Sequence, residues 1–485
     1  MLFNTFAFFL GFLPLALAGY TLLSRFSLRG SVAFLFIASC VFYSYWDIAY
    51  LPLLLASIAV NYTLGTKIAR AHEQHAATRG KRFLQAGIIF NLGLLAFFKY
   101  ADFMGGNLAG LLGADYTPLG IALPIGISFF TFTQLAYLVD CHAGSGKDYQ
   151  PANYGLFVTY FPHLIAGPIL HHKDMMPQFA DPASHRASRG RLVVGGIFLV
   201  IGLFKKIILA DGVASFVAPV FDAHAGDLTM LEAWCGALAY TFQLYFDFSA
   251  YCDMAYGLSY MFWIILPINF NSPYKATSII DFWRRWHITL STFLRDYLYI
   301  PLGGNRRGHL RRHTNLLLTM LLGGLWHGAN WTFVIWGGLH GLYLVINHAC
   351  QPLSTQLNPV FRRFAGWTLT LLGVVIAWVF FRADSAGSAL DILRAMFGLG
   401  LSNSTDFARI MSIDSCLRWL AGCAAIAFLL PNLYELLGRG RLDTLEARLA
   451  GTRGGMLAGA LLVLAIILLS ISETRGASEF LYFNF

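Results

Sequence analysis

The feature that most constrains this chain is a repeated one. Apolar runs of about 15 to 21 residues recur along its whole length, and roughly 20 such residues are needed to cross a hydrocarbon core. Of the 485 residues, 57% are hydrophobic and only 12% are charged, whereas a soluble domain carries about 25% charge. Water cannot be the solvent of such a chain. The runs fall at 6–23, 31–45, 48–66, 83–101, 119–139, 192–210, 231–260, 314–328, 331–347, 366–383, 416–433 and 455–472. They predict an all-α polytopic membrane protein with about 11 to 12 transmembrane helices plus re-entrant or interfacial helices. Residues 1–485 read as one membrane-embedded domain with no room for a large soluble part.

The run from Phe6 to Tyr20 has no basic region before it and no convincing small-residue cleavage site after it, so it reads as a retained first helix. The seven cysteines are an odd number, lie mostly inside apolar runs and show no Cys-x-x-Cys spacing. Neither a disulfide framework nor a metal site is expected.

A formal charge of +9 raises the question of nucleic acid. The basic residues, however, concentrate between apolar runs, as in cytoplasmic loops of membrane proteins. Membrane lipids, not nucleic acid, are the expected partners of that charge. By the same rule Arg25, Arg29 and the segment Lys67 to Arg82 are cytoplasmic, which places the N-terminus outside. Segments 102–118 and 211–229 carry aspartates and no Lys or Arg, which fits the outer face.

The stretch Tyr154 to Leu170 breaks this parity, because Lys173, Arg186, Arg189 and Arg191 follow it. It is expected to re-enter and return to the cytoplasmic side. Pro162, Gly167 and Pro168 interrupt its helical hydrogen bonding, and broken backbone at membrane depth is tolerated where protein buries it or it lines a cavity. The segment Lys275 to Arg312 is basic again, and its Trp283 and Trp286 among arginines suggest helices lying in the interface.

Three constellations can carry chemistry. The first surrounds His327 in Gly323-Gly324-Leu325-Trp326-His327-Gly328. An ionisable group at membrane depth is costly and usually functional. Histidine suits abstraction of a proton from an alcohol that attacks a thioester. The alternative is a core histidine bonded to a backbone carbonyl. His340, thirteen positions on (340 − 327), reads as structural. The second is Asp281 to Ser291 with Arg295, where Arg284, Arg285 and Arg295 could hold donor phosphates in a forked geometry or simply meet lipid headgroups. The third is Asp247 and Asp253, six positions apart (253 − 247) and so about 120° apart around a helix. They form no acid pair, and each is expected to bond an arginine or a neighbouring helix. A Walker-type loop, a Gly-x-Ser-x-Gly elbow and a His-Glu-x-x-His pair are all missing from the sequence, which removes the usual signatures of ATP-driven transport and of serine or zinc hydrolysis.

Several blocks together resemble the bacterial branch of the membrane-bound O-acyltransferase family, whose relatives act in alginate, cellulose and peptidoglycan acetylation. They are Asn269 to Tyr274, Phe282 to His287 running through Leu294 to Arg306, Trp326-His327-Gly328, Gly126 to Phe132, Phe161 to Pro168, Gln243 to Ser249 and Phe480 to Phe485. Ala250 and Cys252 stand where the family pattern has Gly and Ser. The resemblance implies a ring of helices around a tunnel that joins a cytoplasmic donor site to the outer face. It implies His327 as the catalytic histidine and His287 as the second, and it suggests Arg284, Arg285, Arg295 and Trp286 as the mouth for acetyl-CoA. It further implies no permanently bound cofactor, acetyl-CoA as donor substrate, a bacterial inner-membrane location, a periplasmic acetyltransferase partner and contact with polysaccharide-export machinery. The rival expectations are a non-catalytic transporter or flippase, and a family member that moves D-alanyl or other acyl groups to teichoic acid, lipid or protein.

Overall fold

A computed structural model of the protein describes residues 1, 3–146, 150–181, 188–223, 228–306, 308–354, 356–399, 411–436, 438–449, 453–472 and 480–481. Arg186, Asp227, Arg307 and Tyr482 to Phe485, all used in the sequence reading, lie outside the described residues. The described chain is α-helical without strands, so the protein is an all-α polytopic membrane protein.

Each of the twelve apolar runs carries a helix. Seven helical stretches among the described residues are long and apolar enough to cross a membrane: Ala7–Ser24, Ile48–Glu73, Ala77–Leu112, Arg189–Ala214, Trp331–Gln351, Pro359–Arg382 and Ile413–Leu436. Four of the other five are shorter or more polar, and the fifth is the 20-residue helix Arg453–Ser472. Leu28–Ser44 and Ile127–His142 have 17 and 16 residues. Met230–Met261 contains Glu232, Asp247 and Asp253, and Gly308–His327 opens with Arg311 and Arg312. Large apolar side chains such as Leu10, Leu15, Ile37 and Ile89 stand exposed on these helices, as expected where lipid replaces water.

Two expected loops and one expected helix start are corrected. Lys67 and Arg70 belong to the helix Leu51–Glu73, and Arg79, Lys81 and Arg82 belong to Ala77–Leu95, so only residues 74–76 connect them. Asp102 lies on the helix Ala101–Leu112 rather than in a loop. Residues 119–126 are irregular, and the helix expected from 119 starts at Ile127. Hydropathy marks the apolar stretch but not the turn at which charged residues join it, because Lys and Arg are good helix formers.

The chain divides into two compact units. The first comprises Met1–Leu203, Tyr251–Ile268 and the described residues after 436, and the second Phe204–Ala250 and Asn269–Leu436. In the first unit the helix Pro151–Thr159 stops at Tyr160, and residues 161–171 run on as buried, non-helical backbone. Its freed polar groups are met by protein. Phe161 N–H donates to Ser39 Oγ at 3.1 Å, the Tyr160 hydroxyl donates to Ser259 Oγ at 3.0 Å, and Gly167 N–H donates to the His163 carbonyl at 2.9 Å. Gly126, at φ 74°, lets this segment approach: a Cβ there would stand 2.8 Å from the Leu164 carbonyl oxygen. The expected break in the helix is thus present, and protein buries it.

The second unit holds the basic segment. Here the chain forms only short helical pieces, Pro273–Lys275, Ile279–Trp283, Ile288–Leu294 and Arg295–Tyr299. Ser278 starts one of them by accepting from Asp281 N–H. A helical hairpin follows, Gly308–His327 and Trp331–Ser354. Its helices meet backbone to backbone: a Cβ on Gly324 would collide with the Phe333 carbonyl, and one on Gly337 with the Met320 carbonyl. Small residues at such positions are what let membrane helices pack closely.

Candidate functional site

His327 is the last residue of its helix and is buried. The turn after it is fixed by Asn330, whose Oδ1 accepts from Thr332 N–H at 3.1 Å and whose Nδ2 donates to the Asp384 carbonyl at 3.0 Å. Aromatic rings wall the imidazole. Trp336 meets it edge to face at 5.0 Å and Phe381 at 5.2 Å, with Trp326 at 5.0 Å. The close glycine contact between the two helices is what allows Trp336, on the second helix, to reach His327 on the first.

His287 is buried in a different setting. It adopts φ 42°, ψ 55° just before the helix Ile288–Leu294, a left-handed backbone that a non-glycine residue holds only when its surroundings impose it. The imposing residue is Asn269. Its Oδ1 accepts from Thr289 N–H at 3.2 Å and from the Thr289 hydroxyl at 2.9 Å, and it lies 3.1 Å from His287 Nδ1. A backbone N–H can only donate, so this atom is the amide oxygen, and His287 Nδ1 must carry its proton. The basic lone pair of His287 is therefore on Nε2. Burial pushes the His287 pKa down to about 3, so the ring is neutral near pH 7.

The two histidines are joined by rings rather than by a shared hydrogen bond. From His327 the contacts run through Trp336, Trp378 (5.7 Å), Trp286 (4.9 Å) and Phe270 (5.0 Å) to His287. Trp286 is fully buried in this stack, flat against Phe282 at 5.7 Å. It is a core ring in the second unit. Of the arginines, Arg285 is engaged with Asp281 at 2.8 Å and the Asn271 carbonyl at 3.4 Å. Arg295 forks onto its neighbour Asp296 at 2.7 and 3.0 Å. Arg284 is exposed and makes no ion pair among the described residues.

Asp247 does bond a neighbouring helix, but through a lysine rather than an arginine. Lys206 Nζ lies 2.9 Å from both Asp247 and Asp211, with Lys206 and Asp247 almost fully buried. The sequence reading passed over Lys206. Its signal was there, since a lysine inside the apolar run 192–210 needs a carboxylate partner.

A buried histidine thus ends one arm of a helical hairpin, and a second buried histidine of fixed tautomer lies in the basic segment of short helices beside it in sequence. The chain belongs to the membrane-bound O-acyltransferase family, whose model matches residues 31–386. It is 39% identical to a peptidoglycan O-acetyltransferase of Helicobacter pylori over all of this chain and 98% of that protein. It is 42% identical to the probable alginate O-acetylase AlgI of Pseudomonas aeruginosa over 82% of this chain and 75% of that one. A teichoic acid D-alanyltransferase of Streptococcus thermophilus matches at 28% over 48% of this chain and 59% of its own length. The protein is therefore a multi-pass membrane-bound O-acyltransferase.

Proposed function

We propose that this protein takes acetyl groups from cytoplasmic acetyl-CoA and passes them across the bacterial inner membrane for O-acetylation of an exported polysaccharide. The observation that carries this reading is His327, a buried imidazole at the end of the helix Gly308–His327, in a chain similar along its whole length to a peptidoglycan O-acetyltransferase. The acetyl relatives match 82% to 100% of the chain, and the D-alanyl relative only 48%. That difference favours acetyl over D-alanyl transfer.

In the reaction a hydroxyl oxygen attacks the thioester carbonyl carbon while His327 takes its proton. The tetrahedral oxyanion collapses with loss of the thiolate, and the proton on the imidazole goes to that sulfur. One C–O bond forms, one C–S bond breaks, and the products are the ester and free thiol. Aromatic walls keep water from competing for the acyl group. His287 presents Nε2 as a second basic atom, and Arg284, exposed and without an ion pair among the described residues, offers its guanidinium to the phosphates of the donor. Final delivery to the polymer falls to a periplasmic acetyltransferase working beside the polysaccharide-export machinery.

The test is the acetyl-ester content of the exported polymer in cells carrying His327→Ala, at membrane abundance matched to wild type. Loss of ester supports the reading. Unchanged ester would remove His327 from the chemistry and bring a transporter role forward.

A further inference from the structure

His340, one helical hairpin arm away from His327, is fully buried in the second unit. Its Nδ1 receives the indole N–H of Trp283 at 3.3 Å. Indole can only donate, so Nδ1 holds the lone pair and the proton of the ring sits on Nε2. That Nε2–H, equally buried, has no acceptor among the described residues. Trp336 packs on the same imidazole at 4.8 Å and on His327 at 5.0 Å. Its own buried indole N–H also lacks an acceptor among the described residues. Buried donors in folded proteins are nearly always paired, and an exception needs a cause such as a bound group.

We propose that His340 Nε2–H and Trp336 Nε1–H form a donor pair for the acyl carbonyl oxygen, holding the thioester beside His327 and stabilising the oxyanion as it forms. Trp283 sets the donor by fixing the tautomer of His340. The pair suits an oxygen and not a cation, since both groups only donate. The step balances as before: the carbonyl oxygen gains negative charge when the hydroxyl adds, and returns to a carbonyl when the thiolate leaves. This inference rests on acyl transfer at His327.

The test compares His340→Gln with His340→Asn in the full-length protein, at matched membrane abundance, reading polymer acetyl ester. Gln places an amide N–H near the Nε2 position and gives up the acceptor for Trp283. Asn keeps an acceptor near Nδ1 and gives up the donor. The expected result is a loss of about a hundredfold in Asn, as for a missing oxyanion donor, with Gln recovering at least about tenfold of it. Asn at wild-type ester, or Gln no better than Asn, overturns the proposal and leaves His340 as a support for Trp283. Should the Asn variant fail to accumulate, Trp336→Phe keeps the ring and removes only the N–H. A drop of about tenfold supports the pair, and wild-type ester overturns it. His327→Ala is run alongside: full ester there sinks the acyl-transfer reading itself, whatever the His340 variants do.

Discussion

Two buried polar regions of this protein are built on opposite plans. In the first unit Asn61 and Asn91, on the helices Leu51–Glu73 and Ala77–Leu95, exchange both of their amide bonds, at 3.2 and 2.6 Å. The spare donors go to the carbonyls of Ser57 and Gly87, and Gln134 donates to Ser57 Oγ at 2.9 Å. The amide N–H groups of Asn61 and Asn91 are thus given partners from the chain. In the second unit His340 and Trp336 are just as buried, yet each keeps a donor that no described residue accepts. A closed polar cluster stabilises helices against one another, whereas an open one leaves its hydrogen-bonding capacity for something that comes and goes.

The strongest way to break this contrast is at His327. His327→Ala is expected to lower polymer acetylation by about a hundredfold or more, the range for loss of a proton-transfer group, with thermal stability in detergent nearly unchanged. Equal loss of stability would place His327 with the scaffold.

A large stability effect is expected instead at Lys206. Lys206→Met leaves the buried Asp247, with the half-buried Asp211, without its cation, at about 3 to 5 kcal/mol. Membrane abundance should fall steeply, and adding Asp247→Asn should restore much of it. Abundance unchanged in the single variant would show that the pair carries little of the fold.

The arginines sharpen the contrast at the surface. Arg284→Gln should raise the KM for acetyl-CoA about tenfold, the equivalent of one hydrogen bond to a charged group, with kcat kept. Arg285→Gln breaks a half-exposed pair with Asp281 and a backbone carbonyl, so its effect should be on stability, within about 1 kcal/mol. The reverse pattern would move donor binding to Arg285.

In the closed cluster, Asn91→Ala should destabilise by about 1 kcal/mol, as for other membrane hydrogen bonds, and leave turnover per folded molecule intact. A loss of turnover would make the first unit part of the site. The smallest effect is a pH slope. The folded pKa of His287 is about 3, below the unfolded value of about 6.5. The unfolded chain binds the extra proton between those values, so this contribution is full above pH 6.5 and declines as the pH falls towards 3. His287→Asn should flatten that slope in thermal melts, and an unaltered slope would assign it to another group.

Much of this was legible in one dimension. All twelve apolar runs carry a helix because the need to satisfy backbone groups in lipid is local and length-dependent. The break after Thr159 followed from Pro162, Gly167 and Pro168, which remove or weaken helical hydrogen bonds wherever they stand. His327 stood out because an ionisable group in an apolar run is expensive, whereas His287 was marked only by the family resemblance. The helix boundaries around Lys67 to Arg82 and at Asp102 were misplaced for a related reason, since hydropathy ignores charged residues that continue a helix.

What the tertiary structure decided is which of these groups are engaged. Nothing in the order of residues says that Arg285 is held by Asp281 while Arg284 is free of ion pairs among the described residues, or that Trp286 lies in the core and not at a surface. His340 looked structural in sequence because its spacing from His327 carries no information about direction. Its tautomer and its open donor are set by Trp283, 57 positions away. The apolar pattern of a chain fixes where helices form, because each residue meets the solvent on its own. Hydrogen-bond partnership is decided between residues distant in sequence, and only packing brings them together.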